Sequence, residues 1–506
     1  MTEKYKFVII SLIILNLGEK IGFDGGTKMK NFWKRITLKE DPKVYKSKDA
    51  HLPQVLGVKD FLALGVGTIV STSIFTLPGV VAAKHAGPAV ALSFLVAAIV
   101  AALVAFAYAE MSSAMPFAGS AYSWINVIWG EGFGWIAGWA LLAEYFIAVA
   151  FVGSGLSANF RGLLEPLGFS LPPQLSNALG TEGGWFDLVA VIVIVLIALL
   201  LSRGVSGAAR IENALVVLKV LAILLFIVVG LTAIKFSNYV PFIPEYHKNA
   251  DGTAFGGWQG IYAGVSSIFL SYIGFDSIAA NAAEAKNPSK TMPRGILGSL
   301  AIAVILFVAV SLVLVGMFNY TNYANNAEPV GWALRQAGHP AVASLVQAIA
   351  VIGMFTALIG MMMAGSRLLY SFGRDGMLPK WLGVLDKKNN QPKHALILLT
   401  VVGVILGAVF PFTTLSQLIS AGTLVAFMFV SLGIYRLRPR EGKDLLEPGF
   451  KMPFYPVMPA LAFLGSLVVF LGLDNEAKIY TGGWFVIGII IYLAYGMKNS
   501  YLNPDK

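Results

Sequence analysis

About a dozen apolar runs, most of them near twenty residues long, follow one another along this chain. A run of that length spans the roughly 30 Å hydrocarbon layer of a bilayer as an α-helix, at about 1.5 Å per residue. Hydrocarbon offers backbone groups no partner, so a chain that enters it must bond its N–H and C=O groups internally, as helices or a closed barrel. The runs are continuous rather than alternating, which selects helices. The expected fold is an all-α membrane protein with twelve transmembrane helices, at about 57–82, 88–114, 122–156, 185–202, 207–232, 258–283, 294–317, 341–371, 394–411, 413–435, 456–473 and 480–497. Of the 506 residues, 57% are hydrophobic and only 13% charged, far from a soluble average. The third and eighth runs are long enough to tilt or to extend beyond the bilayer.

The net charge of +10 follows the loops, not a nucleic-acid surface. Placing the N-terminus inside puts Arg203, Arg210, Lys286, Lys290, Arg294, Arg367, Arg374, Lys380, Lys387, Lys388, Lys393, Arg436, Arg438, Arg440, Lys443 and Lys451 on the cytoplasmic side. The outer loops then hold only Lys84, Arg161, Lys235, Lys248, Arg335 and Lys478. That asymmetry is the positive-inside bias, and it makes both termini cytoplasmic. Trp124, Trp129, Trp135, Trp185 and Trp258 fall where aromatic belts lie. No cysteine is present, which excludes disulfides and thiol chemistry, and the five histidines are scattered. No paired-carboxylate, Ser/His or metal constellation points to a membrane enzyme. Phe7–Leu17 is an apolar run too short to span. Residues 1–28 read either as a leader outside the native chain, with Met29 resembling a natural start, or as an interfacial amphipathic anchor.

Lys219 lies about 12 residues into the fifth run, roughly 18 Å along its helix and near the bilayer midplane. Snorkelling reaches only a few ångströms, so this ammonium needs protein oxygens or a water-filled cavity. An intramembrane ionisable group marks an ion or substrate path by default. Glu144, in the third run, is the other buried candidate. It carries protons, contacts substrate, or stands as a neutral hydrogen-bonded acid holding helices together. Glu110 and Asp276 lie nearer the cytoplasmic ends of their helices, where pairing with basic loop residues or backbone capping is expected.

Two runs are interrupted by glycine and small polar residues at mid-membrane depth: Gly65-Val-Gly-Thr-Ile-Val-Ser-Thr-Ser-Ile-Phe75 and Phe269-Leu-Ser-Tyr-Ile-Gly-Phe-Asp-Ser277. They are five spans apart. Tight helix packing explains small residues in either run alone. Their matching positions, with Lys219 alongside, point instead to an inverted repeat with a binding site at its interface. At such breaks the half-helix N-terminus favours a carboxylate and the freed carbonyls favour an ammonium.

At these residues the chain resembles the amino acid–polyamine–organocation (APC) superfamily of transporters. Gly67-Thr-Ile-Val-Ser-Thr-Ser-Ile-Phe75 is similar to that family's first-helix motif, with Ser71 and Ser73 where relatives carry glycine. Tyr272-Ile-Gly-Phe-Asp-Ser-Ile-Ala, Ala283-Glu-Ala-Lys-Asn-Pro-Ser-Lys-Thr-Met-Pro293 and Ser366-Arg-Leu-Leu-Tyr-Ser-Phe-Gly-Arg-Asp-Gly-Met-Leu-Pro379 carry the likeness further, over roughly residues 50 to 500. Within the family it looks most like the cationic amino acid transporter subgroup, including lactococcal-type branched-chain amino acid permeases. The resemblance implies a LeuT-like 5+5 inverted repeat plus two C-terminal helices: a cytoplasmic segment 1–50 and one transmembrane domain 51–500. Repeat one would cover about 57–232, repeat two about 258–435, and the extra helices about 456–497.

The resemblance also implies the site. A substrate α-carboxylate would meet backbone N–H groups at Ser71, Thr72 and Ser73. The α-amino group would meet carbonyls around Thr68, Ile69, Tyr272 and Ile273. Lys219 matches a lysine that occupies the position sodium holds in sodium-coupled relatives, with Thr356 on the eighth helix as a further oxygen, so the coupling ion is a proton and no metal or other cofactor is expected. Phe269 and Leu270 occupy the outer-gate position, and Leu358 with Ile359 faces the pocket. An apolar lining suits Leu, Ile, Val or Met at about 25 cal/mol per Å² of matched surface. The implied function is a proton-coupled importer of neutral amino acids in a bacterial plasma membrane, working by alternating access. A carrier of Arg and Lys, an exchanger, and a nutrient-sensing receptor on a transporter fold are the other readings. A small single-span partner subunit is compatible with the family, and nucleic acid is not.

Overall fold

The computed structural model describes residues 27–48, 54–179, 183–202, 208–324, 326, 328–386 and 391–503. The question of a leader at 1–28 therefore falls almost wholly outside the described residues, as do Arg203, Lys387 and Lys388. The chain opens with two short helices, α1 (Thr27–Ile36) and α2 (Pro42–Lys48). A broken pair follows, α3 (Val58–Ile69) and α4 (Ser73–Val81), then α5 (Val90–Ala114), α6 (Ala121–Ile128), α7 (Glu131–Leu164), α8 (Leu188–Ser202) and α9 (Ala208–Leu231). After a two-stranded hairpin of β1 (His247–Lys248) and β2 (Ala254–Phe255) comes a second broken pair, α10 (Gly257–Ile268) and α11 (Phe275–Ala280). The remainder is α12 (Pro288–Met317), α13 (Pro329–Gln336), α14 (Pro340–Arg374), α15 (Lys393–Val409), α16 (Phe412–Leu437), α17 (Val457–Leu471), α18 (Asn475–Ile491) and α19 (Met497–Asn499).

Among the described residues eight helical stretches are long and apolar enough to cross a membrane, and α8, α15 and α17 are shorter apolar helices. Large aliphatic side chains stand exposed along α8, α9, α17 and α18, as expected where lipid rather than water is the solvent. Two groups of helices pack internally. One holds α3, α5, α10, α11 and α12; the other holds α7, α8, α14 and α15. Helix α9 touches α3, α12 and α14, and α16 touches α5 and α7, so both helices bridge the groups.

Two expectations change. The third predicted span is two helices, α6 and α7. Gly130 breaks them apart with φ of +113°, and the Thr37 backbone packs where a side chain would stand. Trp124 and Trp135 are not belt residues. Both are fully buried, and their indole N–H groups donate to Met115 O (2.8 Å) and Gly488 O (2.9 Å). Tyr108 packs edge-on against Trp124, and the C-terminal segment covers Trp135 through Tyr492 near the start of α7, contacts that sequence periodicity does not reveal. Trp185 and Trp258 are indeed exposed.

The clamp that brings the chain ends there is Glu131, fully buried at the first turn of α7. Its carboxylate pairs with Arg35 Nη2 at 3.0 Å and accepts from Tyr492 OH at 3.1 Å and from Ser500 Oγ. Its N–H donates to Leu38 O (2.9 Å), and Arg35 also reaches Met497 O (3.1 Å). Downstream of the clamp, Tyr45 is buried, stacks on Phe117 with centroids 5.3 Å apart and accepts from Asn126 Nδ2 (3.1 Å). Leu56 then pairs with the segment after α11, exchanging bonds with Glu284 O and Lys286 N at 3.0 Å each. Breaking a buried ion pair from one side costs about 3–5 kcal/mol. Glu131→Ala should therefore lower the melting temperature clearly in a detergent thermal-shift assay, while Trp185→Ala leaves it unchanged; equal melting curves would show that the clamp carries no stability.

Candidate substrate site

In α3, small residues let the helix approach its neighbours closely. A Cβ on Gly65 would run into Ser299 of α12, and one on Gly67 would come within 2.9 Å of Val216 of α9. The helix ends at Ile69, where Val70 leaves helical geometry (φ −83°, ψ 72°). Ser71 N–H turns back to Ile69 O at 3.0 Å, and α4 starts at Ser73. Among the described residues no backbone acceptor meets the N–H groups of Thr72 or Ser73, and their buried hydroxyls have no partner either. These donors sit at the N-terminus of α4, the positive end of its dipole.

The second break is built differently. Helix α10 passes into a tight turn over Phe269–Tyr272; Ile273 is extended and Gly274 has φ of +137°. Ile273 N–H bonds Leu270 O (3.0 Å), and Asp276 Oδ1 caps Gly274 N–H (3.0 Å). The hydroxyl of Ser271 is buried without a partner.

The two breaks touch. Thr68 Oγ1 donates to Gly274 O at 3.3 Å as well as to Leu64 O at 2.8 Å, and Ser277 Oγ also reaches Gly274 O. Lys219 comes to the same place from α9. Only 1% exposed, it donates from Nζ to Gly67 O at 3.0 Å. Its stem lies on Gly353 of α14, where a Cβ would come within 2.5 Å of Lys219 Cε. Thr356, one turn on, donates to Gly353 O at 2.7 Å. Thr68, Ile69, Ser71, Thr72, Ser73, Phe269, Leu270, Tyr272, Ile273, Leu358, Glu144, Lys219 and Thr356 are all buried. Ile359 is only partly buried. Phe269 meets Phe427 of α16 with centroids 6.2 Å apart, and Phe427 stacks on Phe275 at 5.2 Å.

Glu144 lies beside this cluster rather than in a loop. Its Oε2 accepts from Thr423 Oγ1 of α16 at 2.6 Å, its Oε1 meets no hydrogen-bond partner among the described residues, and the Asp276 carboxyl lies close by. Asp276 also accepts from Tyr145 OH at 3.2 Å. Asp276 thus caps backbone, as its position suggests, but its acid partner was not legible from spacing. Glu110 is elsewhere. Arg438 grips it with two bonds of 2.6 and 3.0 Å at the end of α16. Thr423, Tyr145 and Gly353 are site neighbours that no motif marks; each looks like ordinary helix sequence until the helices are packed.

Residues 56–495 match the model of the amino acid permease family. The chain belongs to that family. It is 64% identical to the branched-chain amino acid permease BcaP of Lactococcus lactis, over 91% of this chain and 98% of that protein. It is 35% identical to the methylthioribose transporter of Bacillus subtilis over 90% and 96%, and 32% identical to the vacuolar cationic amino acid transporter 4 of Arabidopsis thaliana over 78% and 65%. The protein is an amino acid permease and not an enzyme, a multi-pass membrane protein of bacterial type with a small-molecule substrate.

In this permease the second break depends on one glycine. A Cβ at Gly274 would lie 3.0 Å from both Ile69 N and Thr68 Oγ1, in a backbone region L-residues rarely adopt. Strain of that kind costs about 1–3 kcal/mol. Gly274→Ala should cut initial uptake at least about tenfold, since roughly 1.4 kcal/mol is one decade. Gly482→Ala, with nothing within 4 Å of the added methyl, should match the parent in the same uptake assay.

Proposed function

We propose that this permease imports neutral aliphatic amino acids, Leu, Ile, Val and Met, together with a proton, by alternating access. The observation that carries the reading is the buried Lys219 ammonium bonded to Gly67 O beside the first break. A cation donating to a carbonyl there does the structural work of a sodium ion, yet it can be discharged by losing a proton. Its protonation would strengthen the tie to α3, and its deprotonation would release that tie, coupling the proton to the shape of the site. The reading needs no metal or organic cofactor. Glu144, hydrogen-bonded to Thr423 and close to Asp276, is a second group through which a proton can pass.

The substrate carboxylate is assigned to the Thr72 and Ser73 N–H groups, with Ser71 N–H already engaged in the turn. The ammonium is assigned to the carbonyls of Thr68, Ile69, Tyr272 and Ile273, and the side chain to the apolar space near Phe269, Leu270 and Leu358. The 64% identity to a protein named for branched-chain substrates supports the aliphatic choice over a cationic one. A hydrophobic pocket separates homologous side chains by only about 1–3 kcal/mol per methylene, so several aliphatic substrates should compete. We infer twelve membrane spans in a LeuT-like 5+5 repeat plus two helices, with both termini cytoplasmic in the bacterial plasma membrane.

Proteoliposomes give the test. One proton per zwitterion and an inward gradient of one pH unit, about 1.36 kcal/mol, should sustain up to about tenfold leucine accumulation. Excess Ile, Val and Met should compete with labelled leucine, and Arg and Lys should not. Lys219→Ala should lose the gradient-driven accumulation while keeping part of the exchange. A parent protein that accumulates nothing under the gradient would rule out symport, and unchanged accumulation by Lys219→Ala would remove the lysine from the mechanism.

A further inference from the structure

Gly155 lies on α7 where that helix passes the first break. A Cβ built on it would collide with Thr72 Cγ2 and come within 3.1 Å of Thr72 Oγ1. The Thr72 methyl therefore fills the volume that any side chain at 155 would occupy. Asn159 Nδ2, one turn on, donates to Gly155 O at 2.9 Å from a buried position and so pins the backbone at this notch. Thr72 opens α4 and is itself fully buried. A branched Cβ has few χ1 choices, so seating the methyl also fixes the hydroxyl. Hydroxyls at helix starts usually bond nearby backbone. The Thr72 hydroxyl is buried and meets no partner among the described residues. It is a donor held in place with nothing to donate to.

Other helical glycines do not share this combination. Gly153 and Gly403 admit Ile194 and Val149, which is plain apolar packing. At Gly360 an added Cβ would meet Thr68 Cγ2 at 3.5 Å, an ordinary contact that leaves room for alanine.

We propose that Gly155 is a positioning residue for transport. Its missing side chain is the socket for the Thr72 methyl, which docks the outer half of the broken helix on α7 and presents the Thr72 hydroxyl to the substrate carboxylate. This rests on the reading of the first break as the carboxylate site. Helix α7 packs with the group that includes α14 and α15, whereas α4 continues α3 in the other group. The socket is therefore a contact across the boundary that alternating access must open and close, and it is engaged in this structure. A methyl at 155 would hold α4 off α7 and disfavour closure around the substrate.

The test is a methyl swap across this contact. Gly155→Ala should raise the KM for leucine at least about tenfold. Thr72→Ser, which keeps the hydroxyl but empties the socket and frees its rotamer, should raise KM by about threefold, less than Gly155→Ala does. The double variant Gly155→Ala/Thr72→Ser restores the total volume, the kind of exchange packed interfaces tolerate best. It should return KM to within about threefold of the parent. Gly360→Ala should stay within about twofold. A merely structural glycine would give a Gly155→Ala defect that Thr72→Ser does not relieve, and that result overturns the socket, as does a parental KM for Gly155→Ala. Should Gly155→Ala not yield a monodisperse protein, the double variant decides: a folded, transporting double variant supports the socket, and a second misfolded protein overturns it. Leucine binding to the parent is measured in the same preparations. A parent that binds leucine while the swap fails removes the socket alone; a parent that does not bind leucine removes the carboxylate-site reading and the socket with it.

Discussion

A lipid interior supplies no hydrogen bonds, so every place where a helix stops inside it must be repaired by the protein itself. That constraint governs the centre of this permease. The two interrupted helices leave backbone groups open at Val70–Ser73 and at Ile273–Gly274, and the repairs are specific. Ser71 N–H folds back on Ile69 O, Asp276 caps Gly274 N–H, Thr68 stitches one break to the other, and Lys219 takes up Gly67 O. What remains open after these repairs is a short row of donors at Thr72 and Ser73, together with the orphan hydroxyls of Thr72, Ser73 and Ser271. The proposed substrate site is what the fold has not satisfied.

The same logic places the other polar residues. Lipid-facing surfaces of α8, α9, α17 and α18 are aliphatic, and charged residues gather near the breaks, at the helix ends and in the loops. At the ends it forms knots rather than single pairs. Glu131 holds both chain termini, and Arg438 grips Glu110 while also bonding Met452 O at 2.7 Å. Arg35 is fastened to α7, in one helix group, and Leu56 to the residues following α11, in the other. Helix α18 is fixed to α7 by stacked indoles, Trp139 and Trp484, each donating to the other's carbonyl at 2.8 and 2.9 Å.

Much of this was legible before any coordinates. Run lengths locate the apolar helices, Lys219 stands out by its depth, and Gly-Thr-Ile-Val-Ser-Thr-Ser and Ser-Tyr-Ile-Gly-Phe-Asp-Ser identify themselves as segments that cannot remain regular helix without waste. The failures share one cause. Trp124 and Trp135 look like interfacial residues because their positions along the chain are right for it, but burial is a property of what packs on top, here Tyr108 on Trp124 and Tyr492 on Trp135. Gly130 divides a run that hydropathy reads as continuous, because its conformation is set by the Thr37 backbone, more than ninety residues earlier.

Sequence alone decided the solvent this protein folds in, the helical means of crossing it, and the presence of one amine too deep to reach water. Those follow from composition and spacing, which are properties of a single segment. The tertiary structure decided which carbonyl that amine meets, that Glu144 faces Asp276 and Thr423, and that Gly155 receives the methyl of Thr72. Each of those is a contact between helices far apart in the chain, fixed by how the helices pack together, and no local pattern encodes it.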